Sequence, residues 1–141
     1  MLAISKKTDY GLNFLIKLAH QNLGQPVTLT KITKTSKLPG PFLAKLAANL
    51  VKAGIIKSRE GAGGGYLLAK NPDQITLREI LSALEGQAKN LCTGTCNHLC
   101  GCAFCATRDI VKPLEEEIGH SLENKTLEDF MGSPPNLSTH L

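Results

Sequence analysis

The stretch from Pro41 to Gly54 constrains the fold of this chain more than any other segment. Phe42, Leu43, Leu46, Ala47, Leu50 and Val51 recur at the i, i+3, i+4, i+7, i+8 spacing that lines one face of an α-helix. Pro41 sits at the first helical position, where its missing N–H is harmless, and Gly54 falls where a left-handed C-terminal cap belongs. The segment after Gly54 narrows the possibilities further. Ile55 to Arg59 predicts a strand, Glu60 to Gly65 a turn with four glycines, and Tyr66 to Ala69 the returning strand.

Helices are expected on both sides of this unit. From Ser5 to His20, Leu12, Phe14, Leu15, Leu18 and Ala19 keep helical spacing, with Ser5 as N-cap. After Gly24-Gln25-Pro26, a short helix fits Leu29 to Thr35, capped by Thr28 and turning Leu29, Ile32 and Thr33 inward; a break at Ser36 to Gly40 comes next. Beyond the hairpin and Asn71-Pro72-Asp73, Thr76-Leu77-Arg78-Glu79 is a capping box that opens a helix with Leu77, Ile80, Leu81 and Leu84 on one face, closed by Gly86. Ile110, Leu114, Ile118 and Leu122 then repeat every four residues beside Glu115, Glu116 and Glu117, an amphipathic helix built to pack on a partner. Pro113 lies inside that stripe and either kinks the helix or marks its start near Lys112. Thr126-Leu127-Glu128-Asp129 caps a last short helix through Phe130, and Gly132 to Leu141 reads as a loose tail.

Two short helices joined by a tight turn and followed by a glycine-rich hairpin form the layout of a winged helix-turn-helix. The predicted class is therefore mainly α with a small β-hairpin. At 141 residues the chain can bury one core of ordinary size. The expected division is a winged helix-turn-helix over 1–86, a cysteine-rich loop over 87–105, a dimerisation helix with the short C-terminal helix over 106–131, and a flexible tail over 132–141. In such a fold the second helix of the pair enters the major groove with its N-terminal residues, while surrounding cations touch phosphates. Pro41, Phe42 and Lys45 would lie nearest the bases. Lys34, Lys37, Lys52 and Arg59 would lie nearest the backbone, and Ser5, Lys6, Lys7, Thr28 and Gly63 complete the candidate DNA surface. The charge distribution agrees: the net charge is +4, with lysines concentrated in the first half and Glu115 to Glu117, Glu123, Glu128 and Asp129 loading the second.

All five cysteines crowd into fourteen residues, Cys92-x3-Cys96-x3-Cys100-x-Cys102-x2-Cys105, with His98 among them. No apolar run is long enough for a membrane span, and Met1-Leu2-Ala3-Ile4-Ser5-Lys6-Lys7 lacks a secretory core, so a cytoplasmic protein is expected. There a disulfide framework is disfavoured and ligation is the leading use of clustered thiols. Thiolates suit zinc or iron–sulfur iron. Cys92, Cys96, Cys102 and Cys105 could hold zinc as two short-spaced pairs, and spacing alone does not choose between the two.

Thr8-Asp9-Tyr10, the helix pair, Glu60-Gly61-Ala62-Gly63-Gly64-Gly65-Tyr66-Leu67-Leu68, the capped helix at Thr76, the cysteine loop and Thr126-Leu127 together resemble the redox-response-factor (Rrf) family of winged-helix iron–sulfur regulators, over about residues 1–131. The resemblance implies a homodimer, with the helix after the cysteine loop crossing to the other subunit. It also implies three cysteine ligands to a 4Fe-4S or 2Fe-2S cluster, the former favoured. Cys92 and Cys105 match the first and third; the middle one is closest to Cys100, with Cys96 and Cys102 as alternatives. A histidine that some members use three residues after the last cysteine is Arg108 here. Asp9 matches the position from which a member donates a carboxylate across the dimer. The wing departs from the family at Glu60, where an arginine is usual.

The expected protein is a DNA-binding regulator, most simply a repressor, whose cluster senses redox state, nitric oxide or iron–sulfur status. The alternatives are a winged-helix regulator with a structural zinc, and a small iron–sulfur electron or cluster carrier, which would need neither wing nor basic half. No nucleophile–base motif or phosphate loop points to an enzyme.

Overall fold

The computed structural model describes residues 5–21, 24–36, 39–86 and 105–132. The expectations for Lys37, Cys92, Cys96, Cys100, Cys102 and the tail beyond Gly132 lie outside them.

Helix α1 (Lys6–Gln21) starts at Ser5, whose Oγ accepts the Thr8 N–H at 3.4 Å. Its inward face is Thr8, Gly11, Phe14, Leu15 and Leu18. Helix α2 (Leu29–Ser36) is capped as its sequence predicts, the Lys31 N–H donating to Thr28 Oγ1 at 3.3 Å, and Ile32 anchors it in the core. Helix α3 (Gly40–Lys52) begins one residue before Pro41 and buries Leu43, Leu46, Ala47 and Leu50. Gly54, at φ 72°, turns the chain out of the helix into the hairpin.

Strands β1 (Ile56–Arg59) and β2 (Gly65–Leu68) pair antiparallel, with Ile56 opposite Leu68 and Arg59 opposite Gly65. The wing is tied at its base to the loop before α2. Val27 and Tyr66 exchange two backbone hydrogen bonds of 2.8 and 2.9 Å. A Cβ on Gly65 would stand 2.5 Å from the Val27 carbonyl oxygen, and its φ of 147° is closed to other residues, so this crossing demands glycine.

A 3-10 turn (Pro72–Gln74) leads into α4 (Leu77–Glu85). The capping box at its start is complete: the Glu79 N–H reaches Thr76 Oγ1 at 3.2 Å and the Thr76 N–H reaches Glu79 Oε2 at 3.1 Å. Helix α5 (Cys105–Glu123) is continuous through Pro113, so that residue does not mark its start. The helical segment already occupies Cys105, the residue expected to end the loop. Helix α6 (Leu127–Met131) returns the chain to the core, where Leu127 is fully buried. Its start lies beside that of α4: the Leu77 N–H donates to the Lys125 carbonyl at 2.7 Å and the Leu127 N–H to that of Ile75 at 2.9 Å. An ion pair between Arg78 and Glu123 fastens the end of α5 to the same place.

One aliphatic core results, drawn from α1 through α4, β1 and α6, with Phe14 as the fully buried aromatic side chain among the described residues. Burying each such side chain contributes roughly 1.5–3 kcal/mol.

Candidate nucleic-acid interface and cofactor segment

The faces of α3 divide cleanly. Pro41, Ala44, Lys45, Ala48 and Lys52 are exposed, spaced so that they share the side opposite the buried leucines. Apart from the two lysines this face is small. Small side chains let a helix approach base edges closely, and alanine suits the thymine methyl group. Apolar periodicity does not single out Ala44 and Ala48, because residues left off a buried stripe carry no pattern of their own. Phe42 is half-buried rather than free, its ring packed edge-on against Tyr10 with centroids 5.7 Å apart. That contact joins α1 to the start of α3.

Of the other predicted contacts, Lys34 on α2, Lys6 and Lys7 at the start of α1, and Arg59 on β1 are all exposed, as is Lys57 beside them on β1. Thr28 is exposed with its hydroxyl engaged in capping α2, and Ser5 is partly buried. Gly63, at φ 74°, lies in the exposed turn of the wing. Glu60 is exposed beside Arg59, so the wing presents a carboxylate where a purely cationic edge would favour phosphate.

Asp9 is exposed on the first turn of α1, and Asn13 Nδ2 holds it through two contacts, to its carbonyl at 2.9 Å and its Oδ1 at 3.3 Å. Thr8, next to it, is the buried polar residue of the described core. The Thr8 and Ser5 hydroxyls both donate to Oε1 of Glu85, the last residue of α4, a junction 77 and 80 residues apart that no local motif could announce. The Ser5 and Thr8 hydroxyls hold the Glu85 carboxyl below the ordinary glutamate value; burial slightly opposes this and the Lys7 charge assists. For Glu79, burial works against ionisation but is outweighed by Lys70, 2.9 Å away, and by the Thr76 N–H, so its pKa is also lowered.

The cysteine segment is bracketed by Gly86, at φ 80°, and by Cys105 at the head of α5. Among the described residues no group of three or more metal-ligating side chains converges. Nor, among them, is any helix long and apolar enough to cross a membrane. On α5, Leu114 is 54% and Ile118 40% exposed, large apolar side chains that the described chain leaves uncovered.

A compact helical core, a helix pair with one small, lysine-edged outer face and a glycine-turned hairpin beside it define a winged helix-turn-helix fold. The chain belongs to the Rrf2 family, described as an iron-dependent transcriptional regulator, which matches residues 4–133. It is 41% identical over 85 residues to the HTH-type transcriptional regulator CymR of Bacillus subtilis, covering 60% of this chain and 62% of that protein. A Synechocystis HTH-type regulator matches at 40% identity over 57% of its length, so the match spans less than two thirds of either relative. IscR of Pectobacterium atrosepticum is 28% identical, with 94% of this chain and 80% of that protein aligned.

Solved structures agree. B. subtilis CymR, titled the global cysteine regulator of that organism, superposes with a TM-score of 0.72 at 34% identity, over 93% of this chain and 97% of that one. The T. potens IscR structure superposes with a TM-score of 0.71 at 30% identity, over 99% and 93%.

Proposed function

We propose that this chain is a cytoplasmic, homodimeric repressor that binds a pseudo-palindromic DNA site and whose affinity for it is set by an iron–sulfur cluster. The observation that carries the reading is the combination of a lysine-edged winged helix with four thiols between α4 and α5 and a fifth, Cys105, at the first residue of α5. A DNA-binding surface alone needs no such thiols, and a cluster carrier needs no such surface.

The DNA face is Pro41, Ala44, Lys45 and Ala48 toward base edges. Ser5, Lys6, Lys7, Thr28, Lys34, Lys37, Lys52, Arg59 and the wing at Gly63 would contact phosphates. Cys92, Cys105 and one of Cys100, Cys102 or Cys96 would hold the cluster, with Asp9 of the partner subunit as fourth ligand. The donor chemistry fits: thiolates are soft ligands for iron, and Asp9 is an exposed carboxylate already oriented by Asn13. When bound, the cluster supplies oxidant- and nitric-oxide-sensitive chemistry; a 4Fe-4S form suits three thiolates and a carboxylate, and a 2Fe-2S form is the alternative. This chain's own residues do the rest. The uncovered Leu114 and Ile118 join two copies through α5, and Asp9 reaches the opposite cysteine segment, so that ligation restrains α1 and the spacing of the two α3 helices. Any effect on DNA must come from such a difference between states.

Isolation without oxygen tests the cofactor. A brown protein with visible absorbance, lost in Cys92→Ser and Cys105→Ser, is expected; a colourless protein with stoichiometric zinc would replace the cluster with a structural metal. Lys45→Ala is expected to weaken binding of all duplexes and lower the salt slope by about one. An unchanged slope would remove α3 from the DNA face.

A further inference from the structure

Glu85 occupies a position that neither the core nor the DNA face requires. It ends α4, and Gly86 at φ 80° immediately turns the chain toward the cysteines. Its carboxylate takes both hydroxyl donors of the α1 start, Ser5 and Thr8. Ser5 is also the cap of α1, so the same side chain that satisfies the Thr8 N–H is held in place by Glu85. Thr8 is buried at 1% exposure, and Glu85 satisfies its hydroxyl.

The helices also pack on each other here. A Cβ on Gly11 would run into the Leu84 side chain, so α1 and α4 meet one residue before Glu85. The first turn of α1 is thus joined to the end of α4 through Ser5 and Thr8 on Glu85, while Gly11 on Leu84 holds the next turn. The first turn so fastened carries Lys6, Lys7 and Asp9.

We infer that Glu85 is a latch that transmits the state of the cysteine segment to the start of α1, and so to the phosphate-facing lysines there. When the segment beyond Gly86 is restrained, Glu85 stays on Ser5 and Thr8 and the first turn is capped. When that segment is released or rearranged, the end of α4 shifts, the two hydroxyls lose their acceptor, and the first turn frays with Lys6 and Lys7 on it. Glu85 is a positioning residue and touches neither DNA nor cofactor. The inference rests on the reading of the cysteine segment as the sensing element, but not on which metal it holds.

Hydrogen exchange of the full-length protein separates the two. Backbone amides of Thr8 and Asp9, which donate to the Ser5 hydroxyl and carbonyl, are compared in protein reconstituted with ferrous iron and sulfide, in metal-free protein, and in metal-free protein alkylated with iodoacetamide. In the wild type these amides should exchange faster when the segment is metal-free or alkylated, by roughly fivefold, the size of a lost helix cap. In Glu85→Ala exchange should be fast in every preparation. Glu85→Gln keeps an acceptor oxygen for both hydroxyls and should retain the difference, and Thr8→Val should reproduce the alanine result in part. Wild-type exchange at Thr8 and Asp9 that ignores the state of the segment, or Glu85→Ala exchange equal to wild type, overturns the latch. If exchange responds as described while DNA affinity does not, the latch stands and the reading of the segment as a DNA switch fails.

Discussion

Helices α3 and α5 are both amphipathic, both carry a proline and both repeat apolar residues at helical spacing, yet the chain treats them oppositely. Every residue of the central α3 stripe is shielded by the chain itself, with Leu43 and Leu50 at zero exposure. On α5, Leu114 and Ile118 face outward at 54% and 40%. Pro41 sits in the first turn of α3, where no hydrogen bond is lost; Pro113 sits in the interior of α5, where one is. Helix α3 is a helix of a self-sufficient domain. Helix α5 is fastened at its C-terminal end, through Arg78–Glu123 and the returning Leu127, and its Leu114 and Ile118 are left uncovered by the described residues.

Charging the α5 face challenges this contrast most severely. Leu114→Asp with Ile118→Asp should convert a dimer to a monomer in sedimentation at micromolar concentration, with helical circular dichroism largely retained and DNA affinity reduced at least a hundredfold by loss of the second half-site, on the order of 3 kcal/mol or more. A charged variant that remains a dimer would move the interface elsewhere. Next in size is the core of α3: Leu46→Ala should lower unfolding free energy by about 2–5 kcal/mol in denaturant melts, whereas Leu114→Ala alone should cost far less per side chain. The prolines separate the two helices again. Pro113→Ala should stabilise by up to about 3 kcal/mol, while Pro41→Ala should lie within about 0.5 kcal/mol of wild type, both read as thermal midpoints.

The smallest effect is acid sensitivity. Glu79 and Glu85 have pKa values below the ordinary 4.5 in the folded state, so each stabilises the fold above that value and the benefit is lost as pH falls through the lower folded value. Stability of the wild type should therefore drop in that window below 4.5, and Glu85→Gln should flatten the drop.

Legibility in the residue order divides along the same line. Caps at Ser5, Thr28 and Thr76, the α3 stripe and the glycine hairpin are local signals, and each element appears within a residue or two of its expected bounds. The continuation of α5 back to Cys105 could not be read, because proline disfavours a helix locally while the flanking helical residues extend it on both sides. Other features depend on residues distant in sequence: the Val27–Tyr66 exchange that seats the wing, the Tyr10–Phe42 contact that half-buries Phe42, and Glu85 on Ser5 and Thr8. Topology brings these together, and no spacing along the chain encodes them.

The decisive measurement is the affinity of one selected DNA duplex for oxygen-free, iron–sulfur-loaded protein and for the same protein stripped of metal, read by fluorescence anisotropy at fixed salt. A cluster-controlled regulator predicts dissociation constants that differ by at least tenfold, with the difference abolished in Cys92→Ser. Equal constants for the two preparations would contradict it.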